Sequence, residues 1–325
     1  MTRTRAIVGA VLALGLLAQS LATEAQPSSK MWRLGLVSVA YMKIEDVFFQ
    51  QLKDLGYAEG HNLIVDRRYS EGRAERFPEF ATALVKLNPD MIIVTTTPAA
   101  LAVKNVTRTI PVVFPNAIDP VGPGVVASLA RPGGNITGAT TLAPEIFAKR
   151  MQLLQQALPH VSTVAVVWNA ANPGNVSSLK QVQEAARVLH INVQSREVRA
   201  PEDFDRIFAD MTRERPDAIL LVGDRLTLQH GEQIVDFANQ KKIPSILDRA
   251  YPETTACLMS YGADEEELWR RAAVLADKIL KGTKPADLPF EQPTKFKFVI
   301  NLKTAKALGL TIPKSVLLRA DEVIQ

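Results

Sequence analysis

The chain has 325 residues, 47% of them apolar and 22% charged, with a formal net charge of +4. This is the composition of an ordinary globular protein that can bury sizeable cores, and its length suggests about two domains. No long basic run is present, which argues against a nucleic-acid partner, and a lone cysteine, Cys257, excludes an internal disulfide.

The first 25 residues have the three-part pattern of an export signal. Arg3 and Arg5 form a basic start, Ala6 to Leu17 is uncharged and apolar, and Ser20-Leu21-Ala22 and Thr23-Glu24-Ala25 are small-residue cleavage triplets. The expected cut precedes Gln26. The apolar stretch is shorter than the ~20 residues a spanning helix needs, and no cysteine follows it for a lipid anchor. A soluble periplasmic protein is expected, in a compartment where ATP and NAD are scarce.

Trp32–Val39 reads as a first strand. A helix follows over Asp46–Leu55, with Val47, Phe48, Gln51, Leu52 and Leu55 on one face. His61–Tyr69 alternates as a strand and Arg73–Leu87 is helical. Pro89–Val94 is a β-branched run suited to a strand buried on both faces. Pro98–Val106 is a helix with proline in its first turn, and Ile110–Phe114 is the next strand. The order then repeats. Helices are predicted over Phe147–Leu158, Gly174–Leu189, Pro201–Arg215 and Leu226–Lys241. Strands are predicted over Thr163–Trp168, Ile191–Val198, Asp217–Val222 and Ile243–Leu247. A further strand after Ala256, a helix over Asp264–Lys281, a proline-punctuated crossing, and a final strand and helix at Phe296–Ile300 and Leu302–Leu308 complete the chain. Strict β-α-β-α order predicts an α/β fold of parallel sheets covered on both faces. Two series divided near Gly138, with a late chain return, predict two similar Rossmann-like lobes.

In such sheets ligands sit beyond the carboxyl ends of the strands. Candidate binding residues are therefore those that follow each strand: Ser38 and Tyr41; Thr96, Thr97, Pro98 and Ala99; Asp119; Trp168, Asn169 and Asn175; Asp224; and Tyr261. Hydroxyls, amides and rings with few acids and bases suit holding a small polar molecule better than cutting one. The Thr-Pro turn opens a helix whose free N–H groups can hold a carboxylate, and it equally suits an ordinary N-cap. Asp119 before Pro120 suits a ligand ammonium or a turn start. Trp168, Tyr41 and Tyr261 suit stacking on a ligand or partial core. Gly122-Pro-Gly124-Val-Val-Ala127 matches a dinucleotide fingerprint only by accident, since a proline lies inside the turn. The four histidines lack metal-ligand spacing. No cofactor, metal or catalytic group is expected, and the chain does not read as an enzyme.

Several segments together carry a resemblance: Asp119-Pro-Val-Gly122, Leu129-Ala-Arg-Pro-Gly-Gly-Asn-Ile-Thr-Gly138, Leu258-Met-Ser-Tyr-Gly262, Lys281-Gly-Thr-Lys-Pro-Ala-Asp-Leu-Pro289, Gln292-Pro-Thr-Lys-Phe296 and Val299-Ile-Asn-Leu-Lys-Thr-Ala-Lys-Ala-Leu-Gly309. From about Trp32 onward the chain resembles the ABC-transporter substrate-binding proteins of the tryptophan-transporter-like branch. The resemblance implies a type I periplasmic binding protein fold with three hinge crossings and a cleft between lobes. It also implies a monomer that binds a small solute, an amino acid or related carboxylate, and hands it to an ABC permease and its ATPase. The Thr96–Ala99 turn, Asp119-Pro120 and Asn169–Asn175 match the family's cleft turns, whereas Ser38–Tyr41 departs from its serine-rich turn. The expected lobes are 32–138 plus 257–285 and 139–256 plus 290–325. A ligand sensor docked on a membrane receptor fits the same features, and a secreted hydrolase fits them less well.

Overall fold

The computed structural model describes residues 30–141, 146–248 and 256–325. The expected export signal lies outside them. Among the described residues no helix is long and apolar enough to cross a membrane.

The first lobe is built from β1 (Trp32–Ser38), α1 (Ile44–Asp54), β2 (Leu63–Tyr69), α2 (Phe77–Lys86), β3 (Met91–Val94), α3 (Thr97–Val106), β4 (Val112–Ala117) and β5 (Ile136–Thr140). Its sheet has the order β2-β1-β3-β4-β5, with every pair parallel. Successive side chains of a strand point to opposite faces. Leu34 and Leu36 of β1 therefore join Phe48 and Leu52 of α1 in one core, while Val37 joins Phe77, Phe80 and Leu84 on the other face. Burying each such side chain contributes about 1.5–3 kcal/mol.

The second lobe comprises α4 (Ile146–Ala157), β6 (Thr163–Asn169), α5 (Gly174–Val188), β7 (Asn192–Val198), α6 (Asp203–Glu214), β8 (Ala218–Leu221), α7 (Arg225–Gln229), α8 (Gly231–Gln240), β9 (Ser245–Leu247) and β10 (Met259–Ala263). The chain then forms α9 (Glu265–Leu280), β11 (Phe296–Asn301), α10 (Leu302–Ala307), α11 (Lys314–Leu317) and β12 (Glu322–Ile324). The second sheet runs β12-β11-β10-β9-β8-β6-β7, parallel except where β11 lies antiparallel to β10. It too has an apolar core on each face.

The predicted return of 257–285 to the first lobe is corrected in part. Strand β10 pairs with β9 and β11, so it belongs to the second sheet. Helix α9 does return, and its Trp269 packs edge-on against Phe48 of α1, ring centroids 6.2 Å apart. The chain therefore crosses at Ala263–Asp264. It crosses again after Glu291, whose N–H donates to Gly138 O of β5 at 2.9 Å. The two crossing segments touch, with Asp264 N donating to Lys295 O at 3.1 Å. The boundary drawn at 138/139 falls inside β5, because Ala139 and Thr140 still lie on the first sheet. The predicted helix Leu226–Lys241 is two helices, broken at His230, whose ψ of 14° leaves the helical range just before Gly231.

Candidate functional site

Helix α3 begins where β3 ends. Thr96 is its N-cap, with extended backbone, and its hydroxyl accepts from Ala99 N at 3.3 Å. Pro98 needs no N–H partner in that first turn. Across the gap between the lobes α5 begins at Gly174, whose N–H donates to Asn172 Oδ1 at 3.0 Å. The two helix starts nearly touch, since a Cβ on Gly174 would lie 2.8 Å from Thr97 Oγ1. The positive dipole ends of two helices thus meet in one place, which favours an anionic group there.

A narrow gap of about 30 Å³ lies beside them, lined among others by Ile118, Ile146, Phe147, Arg150, Ser178 and Asp248. A smaller one adjoins it, between Thr95–Thr97 and Asn116 of the first lobe and Asn172, Asp224 and Arg225 of the second. Lining these gaps, three buried oxygen atoms lack a hydrogen-bond partner: Thr97 Oγ1, Asn116 Oδ1 and Ser178 Oγ. An unsatisfied buried polar atom costs about 1–3 kcal/mol, so three along the gap suit a polar ligand group. The charged groups are built in. Arg150 is 4% exposed, donates from Nε to Tyr261 O at 2.7 Å and stacks over the Phe147 ring. Gly223 lies directly against the Asp248 carboxylate, where any Cβ would collide with Oδ2.

The expected site residues divide into three groups. Thr96, Thr97 and Pro98 face the gap, whereas Asn175 is fully buried on α5 and its Nδ2 donates to Asn169 O at 3.4 Å. Ala99 is fully buried and its N–H is already used by the Thr96 cap, so it has no amide for a ligand. Ser38, Asn169, Asp119 and Asp224 support the gap walls. Ser38 Oγ accepts from Thr95 Oγ1 at 2.7 Å. Asn169 Nδ2 and Asn172 Nδ2 donate to Asp224 Oδ2 at 2.7 and 3.2 Å, and Asp224 Oδ1 caps α7 at Leu226 N and Thr227 N. Burial pushes the Asp224 carboxyl above its usual range, against these donors. Asp119 Oδ1 accepts from Val121 N and Gly122 N at 3.1 and 2.8 Å, which is a turn-former's work.

The three aromatic candidates are engaged elsewhere. Tyr41 is 56% exposed and donates to Asp46 Oδ2 at 2.8 Å. Trp168 lies in the core of the second lobe and donates to Ser195 Oγ at 2.8 Å. The Tyr261 ring stacks on Phe296.

Asn116, Arg150, Ser178, Arg225 and Asp248 were not singled out from the sequence. Arg150 left a signal, because it falls between Phe147 and Leu154 on the apolar face of α4, where a charge has no business unless it serves a polar site. A second buried polar cluster lies on the first lobe. Glu45 of α1 accepts from Tyr69 Oη at 3.0 Å and lies 3.4 Å from Ser38 Oγ. Burial holds its carboxyl above the usual range, opposed first by the charge of Arg225 and then by Tyr69 and Ser38.

Residues 38–324 match the family described as ABC transporter substrate binding protein. The chain is 25% identical over 268 residues to the tyrosine-binding protein of Clostridioides difficile, covering 82% of this chain and 77% of that one. A conserved domain protein from Vibrio cholerae superposes with a TM-score of 0.83 at 29% identity, over 90% of this chain and 100% of its own. An ABC domain in complex with L-Trp from Streptococcus pneumonia gives 0.81 at 25% identity, over 90% and 99%. Solute-binding proteins of lower identity share the two-lobed type I periplasmic binding fold.

Proposed function

We propose, because the chain belongs to the ABC transporter substrate-binding protein family, that it is an exported periplasmic receptor for one small α-amino acid with an apolar side chain. It acts as a monomer and delivers its solute to an ABC permease and its ATPase. The observation that carries the solute class is the set of three partnerless oxygens, Thr97 Oγ1, Asn116 Oδ1 and Ser178 Oγ, along the gap. Arg150 suits a carboxylate, Asp248 suits an ammonium, and Ile118, Ile146 and Phe147 suit an apolar side chain. The relatives named for tyrosine and for L-Trp support the same class. The lobes close by hinge rotation about the crossing segments, as two-lobed binders do.

The test is mass spectrometry of small molecules that co-purify with the exported protein, followed by calorimetry with the hits. Recovery of an amino acid that binds one per chain supports the reading. Recovery only of sugars or polyols, with no heat from amino acids, overturns it.

A further inference from the structure

Helix α7 of the second lobe begins with Arg225, which is 2% exposed. Its guanidinium does not lie within its own lobe. It stacks over the Trp269 ring of α9 at 5.0 Å, and its Nη1 points at Met42 Sδ, 2.8 Å away. Its charge acts on Glu45, at the start of α1 and 1% exposed. Met42, Glu45 and Trp269 all belong to the first lobe: Glu45 is held there by Tyr69 and Ser38, and Trp269 is packed there on Phe48. The second lobe thus puts a cation into a prepared pocket of the first. The pocket offers an aromatic face, a soft sulfur and a buried acid, which are complementary to a guanidinium.

A second polar contact between the lobes is of a different kind. Arg73 and Glu202 meet at 2.5 Å, but their side chains are 51% and 62% exposed, so that pair is screened and worth little. The same group at the Arg225 pocket is desolvated, where charges interact far more strongly. When the lobes part, Arg225 leaves the ring and the acid, and Glu45 keeps Tyr69, Ser38 and the Met42 backbone of its own lobe.

We infer that Arg225 and the Glu45–Trp269 pocket form a latch between the lobes that stabilises the closed form before any solute is bound. This rests on the closing mechanism proposed above, but not on the identity of the solute. A latch of this kind raises the population of the binding-competent form and so the apparent affinity, in proportion to that population.

The experiment is a distance measurement on the full exported chain without added ligand and after unfolding and refolding to strip bound solute. Spin labels are placed on Lys86→Cys in the first lobe and Lys306→Cys in the second, both on exposed positions. The buried Cys257 stays unlabelled. The wild-type background should show a short-distance population. In Arg225→Met, which keeps the volume but not the charge, the ratio of short to long should fall at least tenfold. Glu45→Gln should lower it in the same direction, and Arg225→Lys should restore part of it. Combining Arg225→Met with Glu45→Gln should add little to either alone. Identical distance distributions in wild type, Arg225→Met and Glu45→Gln would overturn the latch. The solute assignment would be untouched by that result. If instead Arg225 only contacts solute, the ligand-free distributions will not differ and only affinity will change.

Discussion

Gly174 at the start of α5 stands directly against Thr97 at the start of α3, so close that a methyl group on it would lie 2.8 Å from the threonine hydroxyl. The two residues sit on different lobes. On the proposed closing mechanism the absence of a side chain at 174 is a condition for closure. It is not a condition for folding, since Gly174 has an ordinary backbone for its helix.

Gly174→Ala should accordingly weaken solute binding by about tenfold or more through faster dissociation, a loss of roughly 1.4 kcal/mol. The melting temperature of the ligand-free protein should hold or rise slightly, since alanine favours a helix over glycine. Stopped-flow dissociation and a thermal melt check both. A fall in melting temperature with unchanged affinity would mean that the contact is part of the fold.

Ser178→Ala removes a buried hydroxyl that has no partner. Without solute the change should be neutral or stabilising by about 1 kcal/mol, because a buried group left unsatisfied costs that much. With solute it should cost affinity of similar size. Calorimetry and melting, run side by side, give the opposite signs expected of a binding group. A structural hydroxyl would lose stability instead.

Asp119→Ala tests the division between site and scaffold. Two backbone donors, Val121 N and Gly122 N, lose their acceptor. Stability should drop by about 1–2 kcal/mol while affinity changes less than threefold. A large loss of affinity with full stability would return Asp119 to the list of ligand contacts.

Cys257 is 3% exposed, and burial pushes its thiol up to about 12. At pH 8 its thiolate fraction is on the order of one in ten thousand. A thiol reagent should therefore leave the folded chain unmodified at that pH and react with one equivalent only after denaturation. Rapid reaction of the folded protein would contradict the burial.

Much of this fold was legible because its strands are short apolar runs. Ile92–Val94 and Val164–Val167 have nowhere else to go but between two layers of helices. Strand β5 was not legible. Ile136-Thr-Gly-Ala-Thr140 has no apolar run, and its pairing is with β4 on one side and with the distant Glu291 on the other. Strand β10 was assigned to the wrong lobe because the antiparallel partner that fixes it, β11, follows a long excursion through α9. The helix start at Thr96–Pro98 was readable from proline's place in a first helical turn. The aromatic candidates misled for a reason visible in the alternation of β6. Trp168 shares its face with Val164 and Val166, and that face is core. Asp248 gave no signal, because an aspartate just after a strand looks like any turn.

On the proposed function the gap recognises both charged ends of an α-amino acid. Calorimetry of the stripped, exported chain with L-tryptophan and L-tyrosine, and with their decarboxylated amines and carboxamides, tests it most directly. One amino acid should bind per chain, with at least a hundredfold loss when the carboxylate is removed or amidated, about 2.7 kcal/mol for contacts with a charged group. Equal affinity for the amine, or binding of an uncharged polyol with none of the amino acids, would contradict it.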